Sequence, residues 1–132
     1  MSQHHLKKVT TVLVVDAIEP ALPFWCERVG FSVTLSVPHG GDGGPIGFAI
    51  LERDGVELML QTRDSVREDV PALADEPNRA SLFIEVDDVA AIEAAVAGCD
   101  IVVPRRRTFY GADELGVRAP GGHVVVFAQM SQ

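Results

Sequence analysis

Basic residues are scarce in this chain: 11 lysines and arginines stand against 19 aspartates and glutamates, a formal net charge of -8 at pH 7. Phosphate backbones demand the opposite sign, so nucleic acid is excluded as a partner. The one basic cluster, Arg105-Arg106-Arg107, is short and reads as a solvated edge strand kept from sticking to other sheets. Long apolar runs are missing too, and none reaches the roughly 18 residues that a membrane span needs. The opening MSQHHLKK has no apolar leader region, which places the protein in the cytoplasm. Only two cysteines occur, Cys26 and Cys99. They show no metal-ligand spacing and fit reduced, partly buried thiols. The glycine-rich stretch His39 to Pro45 lacks the Lys-Ser/Thr that completes a phosphate loop, and no helical pattern follows it.

What remains is globular: 132 residues, 47% hydrophobic, long enough to bury a core in one domain. Val9 to Val15 is almost wholly β-formers. Ile18, Leu22, Trp25 and Val29 recur at helical spacing and predict a helix from about Glu19 to Arg28, closed by Gly30. Phe31 to Val37 alternates apolar and polar residues, the period of a half-buried strand. Ile46 to Arg53 and Val56 to Thr62 are joined by Asp54-Gly55, a strong hairpin signal. Asp64 to Asn78, with its prolines and charges, reads as a surface crossing with a broken helical turn. Beyond it come a strand at Ala80 to Val86 and a helix capped at Asp87-Asp88 that stops at Gly98. A short strand at Ile101 to Val103, a loop through Pro104 and a closing hairpin from Tyr110 to Gln129 complete the chain.

The order is β-α-β-β-β, a crossing, then β-α-β-β-β. Punctuation repeats as well: Val15-Asp16-Ala17-Ile18 is echoed by Val86-Asp87-Asp88-Val89, and Gly55-Val56-Glu57-Leu58 by Gly122-His123-Val124-Val125. The expected architecture is α+β. Two βαβββ modules, about 7–63 and 79–130 with the crossing at 64–78, pack into a curved mixed sheet shaped as a cup.

Three stretches carry a family likeness: Phe24-Trp25-Cys26-Glu27-Arg28-Val29-Gly30-Phe31, Gly55 to Gln61, and Tyr110-Gly111 with Pro120-Gly121-Gly122-His123. Through them the chain resembles the vicinal oxygen chelate superfamily of glyoxalases, bleomycin-resistance proteins and extradiol dioxygenases. Ala119-Pro120-Gly121 departs from that family's usual Asp-Pro-Asp or Asp-Pro-Asn. The resemblance implies a homodimer. In metal-using members it also implies a divalent ion held by one ligand from each of four strands, at positions that fall here near Thr10, Glu57, Ser81 and Val126. Only Glu57 is a plausible ligand, and shifting two residues along a strand offers only Met59, Val124 or Ala128.

The expectation is therefore no metal and no cofactor, with a divalent ion as the alternative. Parity puts Val12, Val14, Phe48, Ile50, Met59, Gln61, Phe83, Val124 and Val126 on the cup face, an apolar pocket for a small, partly aromatic ligand. Tyr110 belongs to the rim, and His39 is a minor contact near the mouth. Trp25, with Leu22 and Val29 at helical spacing, packs in the core. His123 points away from the cup, with Val125 and Phe127, and hydrogen-bonds near the hairpin. The alternative is an enzyme of the same superfamily, with an atypical metal site or a carboxylate base. For that role Glu57 and Glu85 are the candidates, sharing the cavity, with Glu57 raised toward neutrality by burial.

Overall fold

The computed structural model describes residues 4–131; the first three residues of the amino-terminal stretch and Gln132 lie outside the described residues. Eight strands form two mixed four-stranded sheets. The first holds β1 (Thr11–Val15), β4 (Val56–Thr62), β3 (Ile46–Arg53) and β2 (Ser32–Pro38) in that order, and the second holds β5 (Ser81–Glu85), β8 (Val124–Met130), β7 (Ala112–Arg118) and β6 (Asp100–Arg107). In each, the first and last strands of the module pair in parallel and the rest antiparallel. The expected α+β repeat is present, and the curved sheet is built in two halves.

The β3–β4 turn follows its sequence closely. Asp54 and Gly55 both take positive φ, 53° and 80°, as a two-residue hairpin turn of this hand requires. The first helix does not. Instead of one α-helix over Glu19 to Arg28 there is a 3-10 turn, Glu19–Ala21, then a π-helix, Pro23–Arg28. Pro20 and Pro23 lack N–H groups, which breaks the regular ladder, and Val29 N–H reaches back to Phe24 O instead. The crossing is α1 (Arg63–Asp69) and a 3-10 turn, Pro71–Leu73. In module two, α2 (Val89–Ala95) starts where Asp88 accepts the Ala91 N–H at 3.1 Å. Strand β6 runs to Arg107 rather than stopping at Val103. Pro104 fits inside it because β6 is an edge strand with two register shifts.

One apolar cluster spans both modules. Leu13, Leu51, Leu58 and Leu60 of the first sheet, Trp25, Phe24 and Phe31 of the irregular helix region, and Val89, Leu115, Val125 and Phe127 of module two all belong to it. The irregular helix region and α2 cover this face of the sheets, whereas α1 packs on the opposite, otherwise open face of the first sheet.

Between β1 and β5 the two sheets share no ladder; side chains join them. Val14 N–H donates to Asn78 Oδ1 (3.2 Å), and Val14 O accepts from His123 Nε2 (3.0 Å). Nδ1 of His123 accepts the Ala80 N–H at 3.0 Å, so the ring carries its proton on Nε2. His123 is fully buried, as its parity with Val125 and Phe127 requires. The β7–β8 turn lies on the same junction: a Cβ on Gly121, at φ 93°, would stand 2.8 Å from Val15 Cγ1.

Candidate ligand-binding cup

Strand register assembles the open face row by row. On the first sheet Val12, Met59, Ile50 and Leu35 line up across the four strands, with Val14, Gln61, Phe48 and Val37 beside them. On the second, Phe83, Val126, Gly116 and Val103 form one row, and Glu85, Ala128, Glu114 and Arg106 the next. The structure thus brings Phe48, Ile50, Met59 and Gln61 together, and separately Phe83 and Val126. A bulge between Val33 and Leu35 lets β2 contribute Leu35 and Val37 to this face.

Glu57 stands beside Thr10, whose hydroxyl donates to it at 3.4 Å, and Lys8 Nζ lies 2.8 Å from its Oε1. The Lys8 hydrogen bond holds the carboxyl below the usual glutamate range. That reverses the expectation of a base raised by burial: the side chain is only half-buried, and a cation has reached it from outside the strand pattern. Glu57 opens on a cavity with Thr11, Ser81 and Phe83 at the junction of the sheets, whereas Glu85 opens on another, with Arg53, Asp87 and Ile92. The two carboxylates do not share a cavity.

Thr10, Glu57, Ser81 and Val126 do not fit a divalent ion. The set is one carboxylate, already paired with a lysine, two hydroxyls and a hydrocarbon. Among the described residues no three His, Cys, Asp or Glu converge as a metal site.

His39 is half-buried against the crossing, its Nε2 3.5 Å from Glu68 Oε2. Its close neighbour is Gly47, where a Cβ would come within 2.6 Å of His39 Cβ. Tyr110 donates its hydroxyl to Glu114 Oε2 at 3.0 Å, and Arg106 Nε donates to Glu114 Oε1 at 2.8 Å. Glu114, 2% exposed, was missed in the sequence. Extending the parity of β8 to its partner β7 would have found it. Arg105 grips Asp113 and Glu93, and Arg107 donates to the Ser131 hydroxyl, so the basic cluster is an edge strand whose side chains are engaged within the fold. The Arg105 hydrogen bond holds the Asp113 carboxyl below its usual range. Burial, reinforced by Glu27, pushes the Cys26 thiol up, so it is not an activated nucleophile.

A pH prediction follows from Glu57. A depressed folded value means that its contribution to stability is present above the ordinary glutamate pKa and is lost as pH falls through the lowered one. The melting difference between the protein and Glu57→Gln should therefore shrink below about pH 4. A difference that instead widens on acidification would refute the Lys8 pairing.

The sequence model of the Glyoxalase/Bleomycin resistance protein/Dioxygenase superfamily matches residues 3–127. The chain belongs to this superfamily. Among solved structures it is similar to TioX from Micromonospora sp. ML1 (22% identity, TM-score 0.71, covering 94% of this chain and 100% of that one). TnmS3, an antibiotic binding protein from Streptomyces sp. CB03234, is similar at 24% identity and TM-score 0.66, covering 97% and 100%. Lactoylglutathione lyase from Agrobacterium tumefaciens matches at 17% identity and TM-score 0.72, covering 95% of each chain. No curated protein matches. At these identities the structures establish a shared fold. No helix among the described residues is long and apolar enough to cross a membrane.

Proposed function

We propose that the protein binds a small, partly aromatic organic molecule in its apolar cup, without a metal and without turnover, as a homodimer in the cytoplasm. The observation that carries this reading is the donor set: where metal-using relatives would place four ligands, this chain has Thr10, Val126, Ser81 and a Glu57 already paired with Lys8. The apolar rows of the first sheet supply the contact surface, with Gln61 as a polar group to orient a ligand. The likeness to an antibiotic binding protein supports the same reading.

A ligand screen by melting shift tests it, because binding to the folded state raises stability by mass action. Small ring compounds are expected to raise the melting temperature and to be recovered unchanged. Added Zn²⁺, Ni²⁺, Mn²⁺ or Fe²⁺ should shift melting little. Stoichiometric metal in the purified protein that is lost in Glu57→Ala, or product formation abolished by Glu57→Gln, would overturn the reading. Sedimentation should give a dimer at micromolar concentration; a monomer would contradict that part.

A further inference from the structure

The crossing segment folds back over the open face of the first sheet and encloses a cavity of about 260 Å³. Val12, Val14 and Gln61 line it from the sheet, and Val66, Val70 and Leu73 from the crossing. Val12, Val70 and Leu73 are each 40% or more exposed, hydrocarbon that an occupant would cover. We propose that this cavity selects small apolar cations: an ammonium group on a hydrocarbon body of about one ring. The proposal rests on the binding reading above and adds the charge of the ligand.

Three observations give the sign. Asp69 and Glu76 stand at the cavity, and neither carboxylate has a hydrogen-bonded or ionic partner. Of the cations near in the chain, Arg63 donates to the carbonyls of Ala74 and Glu76, Arg67 to Asp64 and Asp75, and Arg79 packs against Gly122 beside a neighbouring cavity. Gln61 uses its Nε2 to donate to Ser65 Oγ at 3.1 Å, which leaves its oxygen as an acceptor. Asn78 has its oxygen taken by Val14 N–H, so the neutral side-chain donors among the lining residues are its amide nitrogen and the second N–H of Gln61. An anion would have only these neutral amide donors against two uncompensated carboxylates. An ammonium finds two carboxylates and an amide oxygen, beside walls that take the hydrocarbon. The cavity volume limits the body to about one ring.

Phenethylamine, phenethyl alcohol and phenylpropionate share a hydrocarbon and differ in charge, and their affinities for the whole protein at neutral pH and low salt test the idea. The amine should bind about tenfold more tightly than the alcohol, with the carboxylate weakest, and salt should erase the difference. Asp69→Asn combined with Glu76→Gln changes two exposed side chains. It should bring the amine to the affinity of the alcohol and leave the alcohol unchanged. Equal binding of amine and alcohol would overturn the charge selection while leaving an apolar binder. Preference for the carboxylate, or an amine preference indifferent to the double variant, would overturn the assignment of this cavity. Binding of none of the three would count against both this inference and the reading it rests on.

Discussion

Replacing His123 with leucine should cost about 3 kcal/mol and lower the melting temperature by roughly 10 °C. The ring is the shared partner of two backbone groups on different modules, accepting from Ala80 N–H and donating to Val14 O, with no exposed surface of its own. Leucine fills much of the volume and answers neither group. A buried donor and a buried acceptor then lose their water without replacement, the expensive case for hydrogen bonds. His123→Gln, which can accept and donate, should recover part of the loss. Equilibrium denaturation checks both; a cost below about 1 kcal/mol for the leucine variant would mean that the junction does not depend on this ring.

The second large effect concerns Trp25. Trp25→Ala should destabilise by about 4 kcal/mol, the usual scale for emptying a buried aromatic site. Its ring is fully buried, edge-on to Phe24 at 4.9 Å and to Phe31 at 5.7 Å between centroids. Trp25→Phe should cost far less. It keeps an aromatic body and deletes an indole N–H that is buried without a partner. Circular dichroism suits both variants, because Trp25 is the chain's single tryptophan. The same placement makes its fluorescence a reporter of unfolding rather than of ligand. It belongs to the core cluster behind the sheet, so ligand in the cup should leave its emission unchanged. A ligand-induced shift would place the binding site on the wrong face.

Local patterns carried much of the fold in the sequence. Asp54-Gly55 specifies its hairpin through two positive φ angles, alternation marks most strands, and Asp88 announces α2. Prolines 20 and 23 were visible, but which irregular ladder would replace the α-helix depends on packing around Trp25. The cup face was legible by parity, since successive residues must alternate sides. The chemistry of the site was less so. Lys8 reaches Glu57 from 49 positions away, and no spacing rule predicts a contact made by a residue outside the strand. The separation of Glu57 from Glu85 follows from how the two sheets meet, which is a tertiary property.

That meeting has one more consequence. A sheet divided in two has four edges instead of two, and an unpaired edge is a template for association with another chain. Nature's usual guards stand on the outer pair: Pro38 on β2, and Pro104 with three arginines on β6. On the inner pair β1 is guarded differently, because Asn78 and His123 occupy the polar groups of Val14 that a foreign strand would seek. The side chains that hold the modules together therefore also act as stoppers against misassembly.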